Sequence, residues 1–140
     1  MTVCTRNKEK LLCSIVREGL CALPQVVLTY IGKAVQVSIN FINSNIKTAS
    51  VDKYVIMPNH IHMIIALSET VGHRAPPLHT IIGQLKSHTT HVCGFTLWQR
   101  SFHDHIIRSD DDYLKIWQYI DTNPEKWQND CFYIPHEVNP

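Results

Sequence analysis

His60 and His62 stand two residues apart in the run VDKYVIMPNHIHMIIAL from Val51 to Leu67. On a strand that spacing puts both imidazoles on one face, where they can share a divalent cation and leave other positions open for water or substrate. The pair alone says little. With nine histidines in 140 residues, roughly 0.6 such pairs arise by chance, and a half-exposed strand face would hold them equally well. A second pair, His103 and His105, lies in FHDHIIR. Tyr119 and Asn123 are four apart, on one face of a helix. A phenol is a poor nucleophile because its pKa is near 10, yet aimed at a metal-polarised phosphate it can form a covalent intermediate. Most helical tyrosines simply pack, and Tyr30, Tyr54, Tyr113 and Tyr133 are also present. Lys86, Arg100 and Arg108 lie close in sequence to Trp98, Phe102, Trp117 and Trp127. Cations for phosphates and rings for bases suit a single strand; scattered arginines and core tryptophans would look the same.

The elements that must position these residues follow from pattern. MTVCT at the start has the β-branched content of a short strand. Leu12–Arg17 and Gln25–Leu28 predict a small ribbon turning around Gly19. Thr29 can cap a helix from Tyr30 to about Asn43, with Ile31, Val35, Ile39 and Ile42 on one side. The two β-rich runs around Pro58-Asn59 predict a hairpin. Ser68–Pro77 is a linker. Leu78–Gly94 predicts a helix with a stripe of Leu78, Ile81, Ile82, Leu85, Thr89 and Val92. Phe102–Arg108 suggests another strand. Ser109, followed by Asp110, Asp111 and Asp112, starts a last helix that carries Tyr113, Ile116, Trp117 and Ile120 on one face and is interrupted at Pro124. This order suits an α+β fold, an antiparallel sheet with helices packed on one face.

Length and composition set the class. A chain of 140 residues with 44% hydrophobic and 18% charged residues reads as one ordered domain, 1–140, rather than a disordered chain. No apolar run reaches the roughly 18 residues of a membrane span, and the start carries no signal-peptide h-region. Five scattered cysteines without a CxxC fit a reduced, cytoplasmic protein. The net charge of +1 hides an asymmetry: residues 1–100 carry ten Lys and Arg against four Asp and Glu, residues 101–140 three against eight. The basic part leaves a polyanionic partner open.

Three blocks, in order, resemble the HUH single-strand tyrosine transposases, and among them the REP-associated tyrosine transposases. YVIMPNHIHMIIAL carries an M-P-N-H-x-H signature, LWQRSFHDHIIR a W-Q-R…D-H-x-I-R block, and YIDTNPEKW a Y-I-x-x-N-P-x-x-W block. TVCTRNKEKLL is similar to the family's first strand, so the resemblance spans nearly the whole chain. It implies a ferredoxin-like sheet with the HUH strand central and a C-terminal helix that carries the tyrosine. It implies Tyr119 as the catalytic tyrosine and His60, His62 and Asn123 as ligands of Mg²⁺ or Mn²⁺. The implied reaction is cleavage and rejoining of single-stranded DNA at hairpin (REP-like) sequences through a 5′-phosphotyrosine, by a monomer or homodimer. Lys86, Arg100 and Arg108 would contact the DNA, and His103 and His105 have no assigned role. The family usually has more chain ahead of its first strand, and a strand cut short is expected to weaken the sheet. A hairpin-binding protein that has lost catalysis is the competing reading; a structural metal site is a third, disfavoured by the lack of nearby cysteines.

Overall fold

In a computed structural model, residues 1–135 are described; the last five residues of the expected 1–140 domain lie outside them. Three antiparallel strands form the central sheet, in the order β1 (Thr2–Cys4), β5 (His60–Leu67), β4 (Ala49–Ile56). β4 and β5 are the hairpin around Pro58-Asn59, with Val55 opposite His62 and Ile56 opposite Ile61. On the other edge, Thr5 bridges Trp98 and Thr2 bridges His103. The backbone from Leu97 to His103 therefore follows β1, held by Arg6 N–H to the Leu97 carbonyl at 2.8 Å and Thr2 N–H to the His103 carbonyl at 2.7 Å. The result is the ferredoxin-like order with its last strand reduced to isolated bridges. Phe102–Arg108 is thus not a strand. Pairing with β1 stops at His103, opposite Thr2, and beyond it Ile106 is 67% exposed.

Alternation along β5 separates two environments. Ile61 and Met63, both fully buried, face α1 (Tyr30–Asn45) and α2 (Leu78–Cys93). Val35, Ile39 and Ile42 of α1 and Ile81, Ile82 and Leu85 of α2 close that core. Val92, expected in the α2 stripe, is exposed at the end of the helix. Thr29 caps α1, accepting from the Gly32 N–H at 3.0 Å while its own hydroxyl donates to the Leu11 and Leu12 carbonyls. Gly94 ends α2 in the left-handed conformation, φ 80°. The ribbon is β2 (Cys13–Val16) on β3 (Gln25–Leu28). No helix among the described residues is long and apolar enough to cross a membrane.

The opposite face of β5 presents His60, His62 and Ile64, and α3 (Asp110–Thr122) lies over it. Ser109 caps α3 through the Asp112 N–H at 3.1 Å. Only Ile120 of α3 is fully buried, so polar tethers share the docking. A register shift between Val51 and Lys53 sends two consecutive side chains to α3: Asp52 accepts from the Tyr113 hydroxyl, and Lys53 pairs with Asp121 at 2.7 Å while lying 3.9 Å over the Trp117 ring.

Candidate metal centre and tyrosine site

His60 and His62 project side by side with their Nε2 atoms 3.0 Å apart. Both are buried, and desolvation holds each imidazole at a pKa of about 3, far below the ordinary 6.5. The Asn59 side chain settles the state of His60. Its Nδ2 donates to the carbonyls of Phe132 at 2.9 Å and Lys8 at 3.2 Å, so its Oδ1 faces His60 Nδ1 at 2.8 Å and must accept. His60 therefore carries its proton on Nδ1 and a lone pair on Nε2. Asn7 and Lys8, both left-handed with φ of 55° and 54°, bring the Lys8 carbonyl over Asn59; local strain there serves the site. His62 Nδ1 lies 2.8 Å from the Thr2 hydroxyl. That oxygen accepts when His62 is protonated on Nδ1, and donates when the ring proton sits on Nε2.

A third donor comes from the chain after α3. Pro124 follows Asn123, where the α-helix gives way to a 3-10 turn over Asn123–Asn129. The turn seats Trp127 beside His60, ring centroids 5.9 Å apart, and carries Asp130 under the pair. Asp130 Oδ1 accepts from the Phe132 N–H at 2.8 Å, which aims Oδ2 at His60 Nε2, 3.8 Å away. The Asp130 side chain is 2% exposed. One ligand atom each from His60, His62 and Asp130 lie within 4.8 Å of one another. Asp130 Oδ2 and Asn123 Oδ1 are buried without a hydrogen-bond partner among the described residues. The His60 Nε2 lone pair beside the second imidazole and two orphaned oxygens are what a hard or borderline divalent cation would satisfy. Imidazole and carboxylate donors suit such an ion, so the residues fit the group that the resemblance implies.

Tyr119 stands on α3 with its ring 5.2 Å from His62, edge to face. It is 45% exposed. Burial and, second, the Asp130 charge raise its pKa above the usual 10, while a hydrogen bond from Asn123 pulls it down. The recess containing Tyr119 and His62 has a volume of about 350 Å³ and also meets Thr2, His105, Asp112 and Ile116. A larger groove of about 850 Å³ lies between α1, α2 and the 73–76 loop. It holds neither the histidine pair nor Tyr119.

No protein-family model matches the chain. An uncharacterized protein of Haemophilus influenzae is 31% identical over 156 residues, covering 96% of this chain and 83% of that protein. A REP-associated tyrosine transposase of Escherichia coli is 32% identical over 77 residues, 54% of this chain and 44% of that protein. In three dimensions the chain matches the structure of a REP-associated tyrosine transposase bound to a REP hairpin, with a TM-score of 0.67 and 26% identity. That match covers 90% of this chain and 65% of the solved one. The chain is similar in sequence and in fold to the REP-associated tyrosine transposases. It spans less than two thirds of both relatives that carry that description.

Within this transposase fold the residues singled out in the sequence fall unequally. His60, His62, Tyr119 and Asn123 come together. Asp130 lies outside the three sequence blocks, and only the Asx turn at Asp130-Cys131-Phe132 hints at it. Asn59 and Thr2, which orient the two rings, were equally silent, though Asn59 sits inside M-P-N-H-x-H. Lys86 is committed to the fold: its ammonium donates to the carbonyls of Gln99 at 2.7 Å and of Arg100 and Ser101 at 3.2 Å. Those bonds tie down the loop after Trp98. Arg100 is exposed beside that loop. Arg108 lines a cavity next to the tyrosine recess.

Proposed function

We propose that this chain is a metal-dependent endonuclease and strand-transfer enzyme that cuts and rejoins single-stranded DNA beside REP-like hairpins, with Tyr119 as nucleophile. The observation that carries the reading is the placing of the Tyr119 ring against a buried His-His-Asp cluster within one chain. The solved relative's bound REP hairpin supports the choice of substrate. His60, His62 and Asp130 would hold Mg²⁺ or Mn²⁺, with Asn123 as a further oxygen donor. When bound, the cation supplies positive charge for the oxygen charge that grows on the scissile phosphate.

The chain's own groups do the rest. Asn59 and Thr2 lock both imidazoles so that Nε2 faces the shared point. Trp127 and Phe132 wall the pair from solvent, the Phe132 ring 4.6 Å from His60. The Tyr119 oxygen attacks phosphorus in line, the bond to the 3′ oxygen breaks, and the phenolic proton is lost as a free 3′-hydroxyl forms. A 5′-phosphotyrosine remains, and another 3′-hydroxyl can reverse the step without ATP. Asn123 stabilises the phenolate character of Tyr119 as that proton leaves. The Tyr119 ring 5.2 Å from His62 of its own chain supports a site assembled in cis.

The test is incubation with end-labelled hairpin single strands and Mg²⁺, followed by a denaturing gel. The wild type should give a retarded, denaturation-resistant adduct that EDTA or Tyr119→Phe abolishes. No adduct from wild type, or an equal one from Tyr119→Phe, would sink the catalytic reading. Binding without an adduct would leave a hairpin-binding protein.

A further inference from the structure

The recess at Tyr119 does not end at the tyrosine. On α3, Asp112, Ile116 and Tyr119 line it together, and Asp112 also lines a neighbouring cavity of about 420 Å³ that reaches Ile106 and Arg108. His105 sits where the two meet, in the wall of both, with its Nε2 2.8 Å from Asp112 Oδ2. Asp112 is itself fixed at the first turn of α3, where its N–H donates to the Ser109 hydroxyl at 3.1 Å. One continuous groove therefore runs from the candidate cut site past a carboxylate-pinned imidazole to an arginine.

We propose that this groove carries the unpaired strand flanking the scissile phosphate, and that His105 reads a base in it while Arg108 holds a phosphate beyond. The inference rests on the strand-cleavage reading given above. Asp112 and Tyr119 are seven helical residues apart, about 10.5 Å along the axis. That spans about three nucleotides at the stacked spacing of about 3.4 Å, and fewer in an extended strand. His105, paired with Asp112 about two helical turns from Tyr119, acts as a specificity residue. In the neutral ring Nε2–H donates to Asp112, which leaves Nδ1 as an acceptor. An acceptor pairs with a base that turns an N–H toward it, the amino groups of adenine, cytosine and guanine or the ring N–H of guanine and thymine, so the base whose donor best meets Nδ1 at that position is favoured. Ile106, 67% exposed beside it, offers an apolar surface for the same base. Asp104–Arg108 makes no strand pairing and lines the groove instead.

The test measures binding, so that it stands apart from catalysis. Hairpin oligonucleotides with A, C, G or T at each of the three positions on either side of the candidate cut are titrated by fluorescence anisotropy against Tyr119→Phe, which cannot cleave. One position should show a base preference of about 3- to 10-fold, the range of one hydrogen bond. His105→Ala in the same background should flatten that preference, and Asp112→Asn should reduce it, with the far-ultraviolet spectrum unchanged because His105 is an exposed side chain. In the cleaving protein His105→Ala should raise KM with kcat nearly unchanged. A preference that survives His105→Ala, or no preference at any of the six positions, would overturn the proposal. A fall in kcat at constant KM would overturn it too, by moving His105 into the chemistry. If the wild type never cleaves but the anisotropy preference is present and depends on His105, the catalytic reading fails and this one stands.

Discussion

Replacing Asp130 by Asn should make the metal-free protein more stable while crippling its response to metal. The Asp130 side chain is 2% exposed and its Oδ2 has no partner among the described residues. A buried polar group left unpaired costs about 1–3 kcal/mol, more when charged. Asparagine keeps the oxygen that accepts from the Phe132 N–H and puts an amide N–H within reach of the His60 Nε2 lone pair, which lies 3.8 Å from Oδ2. A gain of about 1–2 kcal/mol raises the melting temperature of a domain this size by roughly 4–8 °C. The metal-bound state moves the other way. Unit charges 4 Å apart interact by about 4 kcal/mol at an effective dielectric of 20. Even after the carboxylate's desolvation, losing it should weaken Mn²⁺ binding by about 100-fold, near 3 kcal/mol. Thermal melts in EDTA and across a Mn²⁺ titration read both effects, since a ligand of the folded state raises the midpoint by mass action. A variant that melts lower in EDTA and still gains as much from Mn²⁺ as wild type would show that Asp130 is a structural carboxylate, and the reasoning would be wrong.

Other outcomes follow from the same geometry. Thr2→Val removes the partner of His62 Nδ1 and should weaken Mn²⁺ binding 10- to 100-fold while changing the melting temperature in EDTA by only a few degrees; calorimetric titration checks it. Gly32→Ala should cost about 2 kcal/mol or more, because a Cβ there would lie 1.9 Å from the Leu12 carbonyl oxygen, which also accepts from Thr29; chemical denaturation measures it. Stability in EDTA should fall with pH. Unfolded histidines take up protons below about 6.5, whereas His60 and His62 resist until about 3. The pair's contribution is therefore intact above about pH 7 and is lost progressively as pH drops towards 3. A fall of about 5 °C or more between pH 7.5 and 5 is expected, and a flat profile would contradict the burial assigned to the pair.

Local chemistry made the sheet hairpin, the caps at Thr29 and Ser109 and the stop at Gly94 legible, because each depends on residues within a few positions. The strand expected at Phe102–Arg108 depended on something remote. Its apolar pattern is real, but only the chain up to His103 finds β1 alongside it. The site divides the same way. His60 and His62 share a face by strand period, and Tyr119 and Asn123 by helical period, so their pairing could be read directly. Asp130 reaches His60 only because a 3-10 turn doubles the chain back after Pro124, and no periodicity encodes that return. Lys86 shows the same limit: no local pattern encodes its bonds to the carbonyls of Gln99, Arg100 and Ser101.

The central claim is that Tyr119, beside the His-His-Asp cluster, becomes joined to the 5′ phosphate of a cut strand. Trapping the adduct with a hairpin single strand and Mg²⁺, digesting it with trypsin and nuclease, and sequencing the peptides by mass spectrometry tests this most directly. A nucleotide on Tyr119 with a free 3′-hydroxyl on the released fragment is the predicted result. A nucleotide on Tyr113, which is engaged by Asp52, or on Tyr133, which packs on Trp127, would contradict it, as would a 3′-linked adduct.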